Sequence, residues 1–487
     1  MKAYLVRIFL CLLTCALVGG LAAARTIEFE TTKVTQTDEV DDYIKNEMKK
    51  RQIPGLALAV VKDGKVIKGK GYGLANVELD VSVTPDSVFE LASVTKQFTA
   101  TAIMMLVEEA KVGLDDKISK YLTNAPDTWS GITVRHLLTH TAGLKDDFWP
   151  PLSSVWLANY TRAQKFESAS KLPLDFPPGE RWGYSDQGYF LLGMIIEQVS
   201  GKCYRDFLAE RIFKPLKMTA TTVKDQWEII KNRTPGYRLR DGKLAHVRRD
   251  VQDELPASYG VMSTVKDLAK WDAALYSERI LKRSSLDQMW TPVKLNSGST
   301  HNYGFAWVLD EIRGHWVIGH GGITGTYIFR LPDDELTVIV LTNLSMASGS
   351  SPLTIARGVA GRYIPGLLLS SLEEQPDPDP QRTQMLRSLL SDMVKGEQES
   401  PLMTPGLRVR IAATTSEARA AWGARPKDTE SFTFLACDGA RERPLERFDM
   451  RVSRICYYKL VTEQETRYLT FYLTVDGKVA DIRSSTE

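Results

Sequence analysis

Glu90-Leu91-Ala92-Ser93-Val94-Thr95-Lys96-Gln97-Phe98-Thr99 runs directly into an apolar stretch that continues from Phe98 to Ala110. That stretch predicts a buried helix with Ser93 at its first residue. Residues three apart share a helix face, so the Lys96 ammonium reaches back to the Ser93 hydroxyl. A serine hydroxyl needs a nearby base to act as a nucleophile, and a buried lysine of lowered pKa supplies one. The helix start adds free N–H groups that face developing negative charge. One short segment thus offers a nucleophile, a base and part of an oxyanion site.

The S-x-x-K pattern occurs three times: Ser93/Lys96, Ser168/Lys171 and Ser263/Lys266. The second lies in a polar stretch ending at Pro173, where its lysine meets water. The third reads as a helix start, with Thr264 and Asp267 at capping-box spacing. Only Ser93 leads into an apolar helix able to bury its lysine.

Outward from this segment, Thr37–Arg51 reads as an amphipathic helix. Leu56–Val61 and Lys65–Tyr72 read as strands joined at Asp63-Gly64, a strong hairpin signal. A sheet that opens with a hairpin is antiparallel, which excludes a doubly wound parallel fold. Residues 115–280 are mostly helical and irregular, with an apolar helix over Gly188–Val199. Strand signals return at Phe305–Leu309, Trp316–Gly319, Thr326–Arg330 and Glu335–Asn343, and Ser351–Tyr363 predicts a closing helix. The expectation is an α+β fold: an antiparallel sheet flanked by helices, with a mostly helical lobe. His136 and His140 stand four apart, a spacing that binds metal on a helix. No acidic residue lies between them, so a hydrogen-bonded turn is expected there and no metal site.

The first 24 residues hold Lys2, Arg7, an apolar run from Ile8 to Val18 and then Ala22-Ala23-Ala24, the pattern of a secretory signal peptide. Its removal balances the 62 basic and 60 acidic residues of the chain. No basic excess is left for nucleic acid, and no membrane span is expected after cleavage. A secreted or periplasmic location makes Cys437 and Cys456, on neighbouring strand-like segments, a candidate disulfide pair, with two buried thiols as the alternative. Glu373–Pro380 is acidic and broken by prolines, which predicts a linker over 366–382. It separates a unit of residues 25–365 from a small α+β domain of residues 383–487, whose strands are expected at Phe432–Cys437, Arg454–Val461, Arg467–Val475 and Val479–Arg483.

Two further motifs give Ser93 partners. Tyr184-Ser185-Asp186 follows 91 residues later and His320-Gly321-Gly322 another 136 residues on. In this order the chain resembles the serine β-lactamase and penicillin-binding-protein superfamily, in the branch of class C β-lactamases, D-alanyl-D-alanine carboxypeptidases and family VIII esterases. The resemblance covers roughly residues 35–365 and takes in His136–Leu144, Tyr303–Trp307 and Val340–Asn343. It implies that Ser93 is acylated, that Lys96 and Tyr184 share the proton transfers, and that the Ser93 and Ile323 N–H groups form the oxyanion hole. Asp186, His320, Gly321 and Gly322 would line the substrate. No cofactor is implied. The implied partner is a small ester, amide or peptide substrate, with partner binding by the C-terminal domain as a further expectation.

The sequence departs from that family at two places. Asp186 stands where asparagine is usual; a carboxylate accepts hydrogen bonds but donates none, and it favours a charged Lys96 over the neutral base. His320 replaces the lysine of K-T-G, and a mostly neutral imidazole anchors a substrate carboxylate poorly. Both lean towards an esterase or peptidase. The alternatives are a β-lactamase proper and a catalytically silent homologue that binds cell-wall peptides or protein partners.

Overall fold

The computed structural model describes residues 39–145, 159–225, 227–247, 252–253, 255–395, 397, 400–413, 429–439, 446–447, 450–463 and 465–485. The expected signal peptide, with Cys11 and Cys15, lies outside the described residues.

The first described element is α1 (Glu39–Arg51), with Glu39, Asp41 and Asp42 in its first turn and Lys49, Lys50 and Arg51 in its last. That distribution complements the helix dipole. β1 (Gly55–Lys62) and β2 (Lys65–Asn76) follow as a hairpin. Asp63 and Gly64 both take positive φ, at 51° and 73°, as a two-residue turn matching strand twist requires. β3 (Val81–Ser82) extends the sheet beyond β2.

The helical region includes α2 (Thr95–Glu108), α3 (Val134–Leu138), α4 (Asp186–Ser200) and α5 (Val265–Ala274), together with further helices such as Arg162–Ser170 and Arg283–Met289. The chain then returns through β4 (Val308–Ile312), β5 (His315–Gly322), β6 (Thr326–Leu331) and β7 (Leu336–Thr342), and α6 (Pro352–Ala360) closes the unit. β7 pairs with β1, giving an antiparallel sheet in the order β4-β5-β6-β7-β1-β2-β3.

Side chains alternate across this sheet, as a pleated strand dictates. Leu56, Leu58 and Val60 of β1 join the cluster formed with α1 and α6, through Val40, Ile44, Ile355 and Val359. Ala57, Ala59 and Val61 face the opposite cluster, with Phe98 of α2 and Leu268 and Trp271 of α5. The sheet is therefore covered on both faces, and the second cluster reaches through it into the helical lobe.

One strand expectation is corrected. The strand expected from Phe305 begins at Val308, because Ala306 takes φ 66° and Phe305, Ala306 and Trp307 turn into the core. The other calls in this unit differ from the observed elements only in their ends.

Past α6, Leu369 packs with Leu435, Tyr457 and Tyr472 of the C-terminal unit, and Glu374 pairs with Lys459 at 2.9 Å. The acidic, proline-broken segment thus lies along the C-terminal sheet. α7 (Pro380–Lys395) starts on one of its prolines, a residue pre-set for a first helical turn. α8 (Pro405–Ala413), which the sequence reading did not anticipate, precedes β8 (Thr429–Gly439), β9 (Met450–Thr462), β10 (Thr466–Thr474) and β11 (Val479–Ser485). These four strands form an antiparallel sheet in that order, with α7 and α8 packed against it through Leu386, Leu389, Leu407 and Ile411. Cys437 and Cys456 stand directly opposite each other on β8 and β9 and are disulfide-bonded, with Cα atoms 4.1 Å apart.

Among the described residues no helix is long and apolar enough to cross a membrane, and no group of three or more His, Cys, Asp or Glu side chains is placed to hold a metal. The turn at His136 has a local cause. Thr133 Oγ1 accepts from His136 N–H, and His136 Nδ1 accepts from Thr133 N–H, a reciprocal cap of α3. The helix ends at Leu138, so His136 and His140 do not share a helical face.

Candidate active site

Ser93 lies in a one-turn 3-10 helix, Ala92–Val94, that runs without a break into α2. α2 does not begin at Ser93 itself. Ala92 takes φ 46°, a left-handed conformation uncommon for a residue with a side chain. The surroundings hold that turn in place. Leu91 N–H donates to the Val261 carbonyl at 2.9 Å, and Val261 N–H donates to Thr95 Oγ1 at 2.9 Å. Thr324 and Thr326 hydroxyls donate to the Glu90 and Leu91 carbonyls at 2.6 and 2.8 Å. The turn after β5 is therefore docked on the residues leading into Ser93.

Gly322 makes that docking possible. A Cβ there would sit 2.1 Å from the Leu91 carbonyl oxygen and 3.1 Å from Ala92 Cβ. Gly321 points to the other face, where a Cβ would meet the Tyr327 ring at 2.9 Å. The two glycines are thus accounted for by close packing. The Ile323 carbonyl accepts from Met346 N–H at 2.9 Å, while its side chain is 63% exposed.

Lys96 is fully buried and its ammonium lies 3.2 Å from Ser93 Oγ, 2.5 Å from Asp186 Oδ1 and 3.1 Å from the Ser258 carbonyl. Two of these partners, the carboxylate and the carbonyl, only accept, so three N–H bonds find three oxygens. Nζ also sits 4.8 Å from the centre of the Tyr184 ring. Burial is the largest influence on the Lys96 pKa and pushes it down. Tyr184 and Asp186 together outweigh it, and the pKa ends above the ordinary lysine value. The lowered pKa expected from burial is therefore not reached, and the rise has the direction expected of a carboxylate at position 186. Burial likewise pushes the Tyr184 phenol up, Lys96 pulls it down and Asp186 pushes it up; the balance lies above its usual value. The site therefore holds an ammonium, a carboxylate and a neutral phenol around the Ser93 hydroxyl.

His320 is buried on β5, with Nδ1 2.8 Å from the Gly321 carbonyl and Nε2 3.0 Å from the Tyr303 hydroxyl. Burial, reinforced by the nearby Lys96 charge, brings its pKa down to about 4. It is neutral at physiological pH and offers no cation to a substrate. The same Tyr303 hydroxyl lies 3.2 Å from His140 Nε2.

Ser93, Lys96, Tyr184, Asp186 and His320 thus converge, with Gly322 behind them. The other two S-x-x-K pairs do not. Ser168 is exposed and Lys171 pairs with Glu167 at 2.6 Å. Ser263 is buried against Thr221, Thr264 caps α5 through Asp267 N–H, and Lys266 pairs with Asp86. Three participants escaped the sequence reading: His140, Tyr303 and the Ser258 carbonyl. The first two lay in stretches already noted for their family likeness, which was the available signal; a backbone carbonyl leaves none.

Comparison with known proteins places the chain in a family and a fold. The family model described as Beta-lactamase matches residues 40–354. Penicillin-binding protein 4* of Bacillus subtilis (strain 168) is 34% identical over 313 residues, spanning 60% of this chain and 69% of that protein. The solved octameric penicillin-binding protein homologue from Pyrococcus abyssi superposes with a TM-score of 0.59 at 25% identity, over 92% of this chain and 98% of its own. That coverage takes in part of the C-terminal unit. A D-amino acid amidase from Ochrobactrum anthropi SV3 superposes at 0.57 with 26% identity, over 67% of this chain and 99% of its own.

Proposed function

We propose that this chain, which belongs to the beta-lactamase family, is a secreted serine hydrolase that cleaves an ester or amide through an acyl-enzyme on Ser93. The observation that carries this is the buried Lys96 ammonium bridging Ser93 Oγ and Asp186 Oδ1 at 3.2 and 2.5 Å, beneath the Tyr184 ring.

Asp186 is the acceptor that starts the reaction. As Ser93 Oγ attacks the substrate carbonyl, its proton moves to Lys96 Nζ while Nζ passes one of its own to Asp186. The lysine stays an ammonium throughout, as its raised pKa favours. The carbonyl oxygen becomes an oxyanion held by the Ser93 and Ile323 N–H groups. Collapse of the tetrahedral intermediate breaks the bond to the leaving group, which takes the Tyr184 proton. Lys96 then returns the Asp186 proton to Tyr184, and the same groups run in reverse to let water release the acid.

The neutral His320 and the acceptor-only Asp186 give the site no cation for a substrate carboxylate and no side-chain amide for an acylamino carbonyl. Simple esters and amides, including amides of D-amino acids such as the amidase neighbour's name describes, fit these constraints better than penicillins. The test is a panel of p-nitrophenyl esters, D-aminoacyl amides, D-alanyl peptides and a chromogenic cephalosporin. Turnover of esters or amides above the cephalosporin is expected. Efficient cephalosporin turnover alone would make the chain a β-lactamase proper, and no turnover or acylation at all would make it a silent homologue.

A further inference from the structure

We propose that Tyr303 is a positioning residue for this reaction: its hydroxyl joins His140 to His320 in a one-way hydrogen-bonded chain that ties the Tyr184 loop to the strand end beside Ser93. The proposal rests on the serine-hydrolase reading of the site and adds to it a part that no motif supplies.

The direction of the chain is fixed at both ends by backbone groups. Ser185 N–H can only donate, and it points at His140 Nδ1 from 3.2 Å. His140 Nδ1 is therefore bare, its proton sits on Nε2, and Nε2–H donates to the Tyr303 oxygen at 3.2 Å. At the far end the Gly321 carbonyl can only accept, so His320 carries its proton on Nδ1 and donates at 2.8 Å. His320 Nε2 is left bare and accepts the Tyr303 O–H at 3.0 Å. Each hydrogen is used once and no donor faces a donor. A proton added to His320 would sit on Nε2, so that Tyr303 faced two donors, and one added to His140 would sit on Nδ1, where it would face the Ser185 N–H.

The chain joins two separately anchored pieces. His140 grips both neighbours of Tyr184: its ring accepts from Ser185 N–H, and its carbonyl accepts from Gly183 N–H at 2.9 Å. Its ring also packs against Tyr184, with centroids 4.3 Å apart. His140 itself is held at φ 58°. On the other side, His320 fixes the Gly321 peptide, one residue before the Gly322 packed on Leu91. Tyr303, 2% exposed, is the crosspiece between them. Without it the distance from the Tyr184 phenol to the oxyanion donors is set only by looser packing, and such misplacement costs rate far more than affinity.

The charged and titratable groups around the chain are Lys96 from α2, Asp186 from α4, and the Tyr184, Tyr189 and His301 side chains. Lys96 opposes protonation of both imidazoles, which keeps the chain in its neutral form.

The test has two arms. With 15N-histidine-labelled wild-type protein, NMR of the ring nitrogens reads tautomers without reference to activity. His140 is expected as the Nε2–H form and His320 as the Nδ1–H form, with His320 titrating at about 4 and His140 well below the ordinary histidine range. In Tyr303→Phe, kcat is expected to fall roughly 10- to 100-fold with KM within about twofold. The His320 Nε2 resonance should shift, since its O–H donor is gone, while Nδ1 keeps its proton on the Gly321 carbonyl. A wild-type His320 in the Nε2–H form, or a Tyr303→Phe enzyme with wild-type kcat, would overturn the proposal. If the variant does not fold, the wild-type tautomers alone decide. If neither protein turns over any substrate while the tautomers are as stated, the chain stands and the hydrolase reading falls instead.

Discussion

At the scale of single residues, the site turns on one substitution relative to the family pattern. Asp186 pairs with the buried Lys96 ammonium, and in the proposed mechanism it receives the proton that leaves Ser93. In Asp186→Asn the carboxylate is gone and burial is opposed by Tyr184 alone, so the Lys96 pKa falls and the neutral amine becomes the base. The acid limb of kcat/KM should then move to higher pH, because activity appears only as the lysine deprotonates and no longer follows a carboxylate. The restored amide should also raise cephalosporin acylation relative to nitrophenyl ester hydrolysis. Profiles of kcat/KM against pH for both substrates check this; an unmoved limb and an unmoved ratio would place Asp186 outside the chemistry. Ser93, Lys96, Tyr184 and His320 were legible because each sits in a motif with fixed spacing. That Asp186 favours the charged lysine was legible from an aspartate standing where asparagine is usual, while the part played by Tyr184 in outweighing burial was not. The His140–Tyr303 contact spans 163 residues of sequence and leaves no local trace.

At the scale of elements, the hairpin and the sheet ends were legible from alternation and turn chemistry, while the region before β4 was not. Phe305–Trp307 is as apolar as a strand but is consumed by the core, where Trp307 packs over Arg330. That arginine shows what ties α5 to the sheet. Arg330 Nε donates to Asp272 Oδ1 at 2.6 Å and Thr337 Oγ1 donates to the same oxygen at 2.9 Å, with Arg330 and Asp272 both essentially unexposed. Removing one partner strands a buried charge. Asp272→Ala should destabilise by about 3–5 kcal/mol, whereas Asp272→Leu with Arg330→Met should recover much of that loss. Urea denaturation of both variants measures it, and equal losses in the two would show that the ion pair itself is stabilising. In the C-terminal sheet, the cross-strand Cys437–Cys456 bridge closes a loop 19 residues long and should contribute about 3 kcal/mol. Mass spectrometry of the non-reduced, alkylated protein should find neither thiol modified; two alkylated cysteines would end that assignment.

At the scale of the whole molecule, the chain is a unit whose sheet is covered by helices on both faces, with a second sheet docked beside β4. Arg313 pairs with Asp438 at 3.0 Å and packs over Tyr457, and Arg483 pairs with Asp310. The sequence marked the C-terminal unit as separate but could not show this seam, since ion pairs between distant segments follow no period. The proline-broken stretch that read as a tether proves to run along the second sheet, because Leu369 and Glu374 give it partners there. Every part of the hydrolase unit described above serves to place one hydroxyl beside one buried ammonium. The most direct measurement is therefore covalent: the protein is treated with a fluorophosphonate probe and its peptides are mapped by mass spectrometry. A single adduct on Ser93 is expected, absent from Ser93→Ala together with roughly 10⁴-fold of the ester kcat/KM. An adduct on Ser263 or Ser168, or full ester hydrolysis by Ser93→Ala, would contradict it.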